Sequence, residues 1–217
     1  MEPQLTNSLL SFLLFLSCAF CTATAFPTTA PAAAPTTTNP FSFIRSSCKA
    51  TLYPDVCYAS LSHYAEAIQL DPAHLARVAI GVSLIQAHQA RAHFANMTAR
   101  ADYGPEPRSA SALRDCRSTF SDAVGQMRDS LRQMRQLGVG PAGSGSSEAT
   151  EEVRFELSNV QTWMSAALTN EDTCSDGFED VEDGPLKEEV CEKVRDVREL
   201  TSNALALVNS FAASVTS

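Results

Sequence analysis

Apolar residues recur every three or four positions through most of the chain, the spacing that places side chains on one face of an α-helix. The clearest series lies within residues 108–137 and comprises Leu113, Cys116, Phe120, Val124, Met127, Leu131 and Met134. A second series follows Asp71-Pro72, a capping residue with proline at the first helical position. No stretch alternates as a β-strand does. The pattern therefore predicts an all-α protein.

Four long helices are expected, and Gly- and Pro-rich segments separate them. The first covers about 72–101, the second covers 108–137, the third carries Val153 to Ala167, and the fourth begins at Gly184-Pro185. Helices with one apolar stripe each and short connections pack as an antiparallel up-down four-helix bundle. Two short helical segments, at 43–50 and 55–68, precede the bundle and form an appendage to it.

The first 41 residues differ in composition from the rest of the chain. An apolar run at 9–20 is followed by Ala-Thr-Ala, a pattern typical of a signal peptide that ends at residue 25. A membrane anchor or a core helix is the alternative, although the run is short for a bilayer. Residues 26–41 form a Pro-, Thr- and Ala-rich tail, and the folded domain is expected over 42–213. We expect a secreted, extracellular protein that does not bind a membrane.

Charge is unevenly distributed in a chain whose formal net charge is −9. Residues 71–137 contain nine Arg and six acidic residues, whereas residues 148–192 contain fourteen acidic residues, one Arg and one Lys. Such a surface disfavours nucleic acid as a partner and favours a basic protein. Residues 171–183, which surround Cys174, are expected to form a solvated acidic loop because the apolar positions stop at Leu168.

Five cysteines follow the expected signal peptide, and thiols in a secreted domain tend to pair. Cys48 and Cys57 flank Pro54, so a bridge between them would close a short loop. Cys116 and Cys174 are expected near the same end of the bundle, which makes a bridge between them reasonable. Cys191 lies at that end too, and a Cys174–Cys191 bridge that leaves Cys116 free is the competing arrangement.

Signatures of catalysis and of metal binding are weak. The four histidines show neither an HExxH motif nor the Cys/His spacing of zinc sites, and no GxSxG motif is present. Residues 172–183 partly match a calcium-binding loop, but Cys174 is a poor ligand at its third position and Asp183 is short at its twelfth. We expect no enzyme activity and no cofactor. Asn96 begins an N-glycosylation sequon within the first long helix.

Four motifs in order make the chain resemble the plant inhibitors of pectin methylesterase and invertase, over about 43–212. The motifs are CKATLYPDVC, ALRDCRSTFSDAV, WMSAALTNEDTCSDGF and LTSNALALVN. The resemblance implies a four-helix bundle with an N-terminal helical hairpin. It also implies the disulfides Cys48–Cys57 and Cys116–Cys174, with Cys191 as a free thiol.

The resemblance further implies an inhibitor that binds pectin methylesterase in a one-to-one complex and covers the groove that holds pectin. The family's contact positions correspond here to Ser118, Asp122, Gln161, Thr173 and Asp176. Ser118 replaces an expected acidic residue and Gln161 replaces an expected Asn. Such an inhibitor acts in the apoplast, at the cell wall.

Two other functions are compatible with the same fold. The first is inhibition of an acid invertase, although the TCSDGF ending is more like the pectin methylesterase branch. The second is a pro-region-like module, because the fold also occurs as an N-terminal domain attached to pectin methylesterases. We expect an independent inhibitor because the chain ends at Ser217 without a catalytic domain.

Overall fold

The structure is a computed structural model that describes residues 39–100, 107–137 and 147–215. The expected signal peptide and residues 26–38 of the expected tail lie outside these ranges, so both remain predictions. Within the described ranges the regular structure is helical, with no β-strand. This confirms the predicted all-α class.

Four long helices form the bundle: α4 (Pro72–Arg100), α5 (Pro107–Gln136), α6 (Ser147–Asp176) and α7 (Pro185–Val215). Helix α5 packs between α4 and α6, and α7 closes the ring by packing against the same two helices. Consecutive helices are neighbours joined by short connections, so they run up and down alternately, as predicted. The core runs along the bundle axis, with the Phe94 and Phe120 rings edge to face at 5.1 Å between centroids.

The N-terminal appendage consists of α1 (Pro40–Cys48), α2 (Pro54–Leu61), a 3-10 turn (Ser62–Tyr64) and α3 (Ala65–Ile68). Helix α1 begins earlier than the predicted residue 43 because Asn39 and Ser42 form a capping box. The Asn39 side chain accepts from the Ser42 amide at 2.8 Å, and the Ser42 hydroxyl accepts from the Asn39 amide at 3.1 Å. Residues 39–41 therefore belong to the folded domain and not to the tail.

The appendage is held to the bundle by Asn203 of α7, which lies 2 % exposed. Its side-chain oxygen accepts from the Tyr53 amide at 3.1 Å, and its side-chain nitrogen donates to the Tyr53 carbonyl at 2.9 Å. One amide side chain thus satisfies both peptide groups at the bend between α1 and α2. The Cys48–Cys57 disulfide, with a Cα–Cα distance of 5.6 Å, closes the same bend.

Asn203→Ala is expected to lower the free energy of unfolding by about 2 kcal/mol, because two hydrogen bonds are lost and the Tyr53 amide is left unpaired, whereas the Tyr53 carbonyl still accepts from the Cys57 amide. Urea unfolding followed by circular dichroism measures the change. Asn209→Ala is the matched control, because Asn209 makes a single exposed hydrogen bond, to Gln161. Equal losses of stability in the two variants would contradict the bridging role of Asn203.

Helix α6 continues well beyond Leu168, where the apolar positions were predicted to stop. It ends at Asp176, and the connection to α7 covers only 177–184, where Phe178 and Val181 are buried. The predicted loop over 171–183 is therefore wrong for its first six residues. The buried positions of α6 include Leu157, Val160, Met164, Ala167, Glu171 and Cys174. Glu171 thus occupies a core position, and its charged type makes the apolar pattern end too early in the sequence.

Candidate functional site

A disulfide between Cys116 of α5 and Cys174 of α6 ties two helices together near one end of the bundle, with a Cα–Cα distance of 4.4 Å. The pairing implied by the resemblance is thus present in the structure, and the competing Cys174–Cys191 bridge is not. The bridge fixes the axial level of α5 against that of α6. Because α5 and α6 are antiparallel, the residues that follow Cys116 extend towards the middle of the bundle, whereas those that follow Cys174 extend towards its end.

Four of the predicted contact residues have exposed side chains within six residues of a bridged cysteine: Ser118, Asp122, Thr173 and Asp176. Ser118 and Asp122 are four residues apart on α5, and Thr173 and Asp176 are three apart on α6, so each pair shares a helix face. We call these four residues the candidate contact surface. Its two helices are adjacent, so the two pairs present a single outer surface of the bundle.

The two carboxylates of the candidate contact surface are free to meet a partner. Neither Asp122 nor Asp176 forms an ion pair with any part of the chain that the structure describes. Asp122 belongs to a row with Asp115 and Asp129, spaced by seven residues on one face of α5. The Thr173 hydroxyl donates to the Thr169 carbonyl at 2.8 Å, so its oxygen can still accept a hydrogen bond.

Gln161 does not join the candidate contact surface. It lies at the middle of α6, twelve residues before Thr173, which corresponds to roughly 18 Å along the helix axis. Its side-chain nitrogen donates to the Asn209 side-chain oxygen of α7 at 2.8 Å. The expectation that all five residues lie at one end of the bundle is therefore wrong for Gln161, and also for Asp122, which lies at the middle of α5.

Glu171 is not part of an acidic rim, because its side chain points into the core and is fully buried. One carboxyl oxygen lies 2.8 Å from the Thr201 hydroxyl of α7, and the other has no hydrogen-bond partner. Burial raises the pKa of Glu171 to about 8, against a smaller lowering by the Thr201 hydrogen bond. Nearby Asp172 adds to the rise and Arg198 opposes it.

The hydrogen-bond geometry favours a neutral Glu171. The Thr201 hydroxyl also lies 3.0 Å from the Val197 carbonyl, and it carries only one hydrogen to donate. A protonated Glu171 donates to the Thr201 oxygen, which leaves the Thr201 hydrogen for Val197. An ionised Glu171 would take that hydrogen and remain a charge in the core, where it is strongly disfavoured.

The motifs that carry the family resemblance are linked to one another inside the bundle. Glu171 of WMSAALTNEDTCSDGF meets Thr201 of LTSNALALVN, and Asn203 of that ending meets Tyr53 of CKATLYPDVC. Asn170 donates to the Gln126 side chain of α5 at 3.0 Å. The sequence alone does not show which of these side chains contact each other. A polar residue at a core position of a helix, such as Glu171, does indicate a buried polar contact.

Chemistry other than binding has little support in this region. Cys174 forms the disulfide, and the described residues contain no group of His, Cys, Asp and Glu arranged to hold a metal ion.

Among the helices described, none is long and apolar enough to cross a membrane. Cys191 is a free, half-buried thiol that packs against the core. The Asn96 side chain is exposed on α4, and its glycosylation remains a prediction.

Comparison with known proteins identifies similar sequences over nearly the same range. The profile of the plant invertase/pectin methylesterase inhibitor family matches residues 42–207. The chain is 39% identical over 202 residues to pectinesterase inhibitor 11 of Arabidopsis thaliana, covering 93% of this chain and 94% of that protein. It is 41% identical over 172 residues to a 21 kDa protein of Daucus carota, covering 79% of this chain and 84% of that protein.

A solved structure shares the fold. The crystal structure of mutant form A of a pectin methylesterase inhibitor from Arabidopsis aligns with a TM-score of 0.58 at 20% identity. The alignment covers 79% of this chain and 96% of that one. At this level of identity the likeness establishes the helical-bundle fold alone.

Proposed function

Because the chain belongs to the plant invertase/pectin methylesterase inhibitor family, we propose that it inhibits pectin methylesterase by forming a one-to-one complex that covers the pectin-binding groove. It acts as a secreted protein at the cell wall. The observation that carries the proposal is the pair of exposed carboxylates without ion-pair partners, Asp122 and Asp176, on a surface fixed by the Cys116–Cys174 bridge.

The electrostatics of the candidate contact surface suit such a partner. Basic side chains favour the binding of an anionic polysaccharide in a groove, and carboxylates without ion-pair partners on the inhibitor complement a groove of that kind. Complementarity of this kind raises the association rate and the specificity of the complex. Thr173 and Ser118 add hydroxyl groups at the same level. A contact through Gln161 would require an interface that extends roughly 18 Å along α6, within the reach of a standard protein interface.

The fold also supports a second partner, because the family includes inhibitors of invertase. A paired assay on oxidised protein separates the two. One arm follows methanol release from methylated pectin by a plant pectin methylesterase, and the other follows sucrose cleavage by an acid invertase. Inhibition of the esterase alone supports the proposal. Inhibition of the invertase alone overturns it in favour of the second partner.

Asp122→Asn and Asp176→Asn are each expected to weaken inhibition of the esterase about tenfold at pH 6, which corresponds to about 1.4 kcal/mol of binding free energy. The loss should shrink as salt is added, because dissolved ions screen the attraction between opposite charges. Inhibition constants measured at pH 6, at low and at high salt, test this.

Asp196→Asn is the matched control, because it removes one exposed acidic group from α7, away from the candidate contact surface. Its inhibition constant should stay within twofold of that of the unsubstituted protein. Unchanged constants for both Asp122→Asn and Asp176→Asn would place the interface elsewhere on the bundle.

A further inference from the structure

The groove between α4 and α5 is strongly basic, although the protein as a whole is acidic. Residues 72–100 contain no Asp or Glu. On α5 the residues Arg117, Arg128 and Arg135 share a face, whereas Asp115, Asp122 and Asp129 share a different one. The helix thus directs its positive charges towards α4 and its negative charges away from it.

Five arginines line this groove from one end to the other, and we call them the arginine stripe: Arg77, Arg91, Arg117, Arg128 and Arg135. Arg91 and Arg117 line a cavity of about 440 Å³, and Arg77 and Arg135 line another of about 500 Å³. Arg128 stands between them, where its guanidinium donates to the His88 ring nitrogen at 2.9 Å. From Arg117 to Arg135 the stripe covers roughly 27 Å along α5.

The charges of the arginine stripe are not neutralised by the protein. None of its five guanidinium groups pairs with a carboxylate from the described ranges, whereas Arg132, Arg154 and Arg198 all do. The buried Nε of Arg77 has no hydrogen-bond partner. Burial, and then the charges of Arg91 and Arg128, lower the pKa of His88, which is the effect expected in a positive field.

We propose that the arginine stripe binds a linear polycarboxylate, namely the de-esterified uronate chain that pectin methylesterase produces. The identity of the polyanion rests on the proposed function. Guanidinium groups form paired hydrogen bonds with carboxylates, and a row of them matches a polymer that carries one carboxylate on each sugar. Ser118 and Ser121 line the same cavity as Arg91 and Arg117 and supply hydroxyl groups for the sugar oxygens.

The alternative occupant is an acidic protein surface, such as the α6–α7 region of a second copy. A linear polymer fits the stripe better, because its guanidinium groups form a row roughly 27 Å long, and another outward face of α5 carries Asp115 and Asp122, which form no ion pair within the described ranges. Those carboxylates would repel a broad acidic surface but lie outside the track of a single chain. Ser118 lines the cavity of Arg91 and Arg117 and also belongs to the candidate contact surface, so the two sites overlap there, but the stripe does not include that surface's carboxylates.

Isothermal titration of the full oxidised protein with an oligogalacturonate, and with its fully methyl-esterified counterpart of equal length, tests the proposal. We expect the charged oligomer to bind at least tenfold more tightly, and its affinity to fall as salt is added. Arg91→Gln/Arg128→Gln should weaken binding of the charged oligomer tenfold or more. Arg154→Gln/Arg195→Gln removes the same charge from α6 and α7 and should change it less than threefold.

Several outcomes overturn the proposal. They are equal binding of the two oligomers, no binding of the charged one at low salt, and equal losses in the two double variants. Self-association of the unsubstituted protein that Arg91→Gln/Arg128→Gln abolishes, seen by sedimentation without oligomer, would assign the stripe to an acidic protein surface instead. Circular dichroism verifies that each variant is folded.

The stripe and the proposed inhibitory function can fail separately. We expect Arg91→Gln/Arg128→Gln to inhibit the esterase as the unsubstituted protein does, and Asp122→Asn/Asp176→Asn to retain binding of the oligogalacturonate. A protein that binds the oligomer without inhibiting the esterase would leave the stripe standing and overturn the proposed function. A protein that inhibits the esterase without binding the oligomer would support the proposed function and overturn the proposal for the stripe.

Discussion

Glu171→Gln is expected to remove a loss of stability that the unsubstituted protein suffers as the pH rises. In the folded protein the pKa of Glu171 is about 8, well above the ordinary value of 4.5. Between these two values the folded state holds a proton that the unfolded state has released. The free energy of unfolding therefore falls with rising pH, by about 1.4 kcal/mol per pH unit and by on the order of 5 kcal/mol in total.

The glutamine variant should show little of this slope, because its amide does not ionise and can donate to the Thr201 oxygen. Charged neighbours of Glu171 are Asp172 on the same helix and Arg198 on α7, and they pair with each other. The substitution leaves that pair in place. The variant should therefore be less stable than the unsubstituted protein by about 1 kcal/mol or less at pH 5, and clearly more stable at pH 8.5.

Urea unfolding at pH 5, 7 and 8.5 provides the measurement. Glu179→Gln is the control, because Glu179 is exposed near the same end of the bundle and should leave the slope unchanged. If the free energy of unfolding falls with pH equally in the unsubstituted protein and in Glu171→Gln, then a group other than Glu171 is responsible for the pH dependence.

Cys116→Ala/Cys174→Ala is expected to lower the free energy of unfolding by the same amount at every pH. The bridge spans a sequence separation of 58 residues, and loop-closure entropy for such a loop gives about 4 kcal/mol. Because the bridge also fixes α5 against α6 at the candidate contact surface, inhibition should weaken even where the variant remains folded. Urea unfolding measures the loss of stability, and the esterase assay, at a temperature well below the thermal transition, measures the loss of inhibition.

Cys48→Ala/Cys57→Ala is the internal comparison, because that bridge closes a separation of only 9 residues and should contribute about 2.6 kcal/mol. Its removal should leave esterase inhibition intact at temperatures where the bundle is folded. Equal destabilisation by the two double substitutions would show that strain or residual structure, and not loop length, determines the contribution of each bridge.

The fold was predictable from the sequence because its elements are long and strongly periodic. The bounds of α4 and α5 agree with the prediction to within one residue at their ends. The start of α1 was missed, because a Pro- and Thr-rich composition concealed the Asn39 capping box. The end of α6 was missed because Glu171 is a charged type of residue at a core position, and its neutral state depends on Thr201, which is 30 residues away.

The candidate site was predictable only in part. Sequence order places Ser118 and Asp122 after Cys116, and Thr173 and Asp176 beside Cys174, and the bridge then brings the two pairs onto adjacent helices around it. Gln161 lies twelve residues before Thr173. Its distance from Thr173 and Asp176 therefore follows once α6 is known to be one continuous helix. In the sequence the arginine stripe is apparent only as an excess of Arg over acidic residues. Which residues of α4 and α5 face each other depends on how the bundle packs.

The links between Glu171 and Thr201, and between Asn203 and Tyr53, have a consequence for redesign. Several residues of the family motifs act inside the bundle, whereas Ser118, Asp122, Thr173 and Asp176 of the same motifs are exposed. The interior contacts and the exposed surface are therefore separable, and exposed positions of α5 and α6 can be varied in a display library while the interior contacts are kept. A scaffold of this kind, stapled by two disulfides, offers a template for binders directed at enzymes of other carbohydrate polymers.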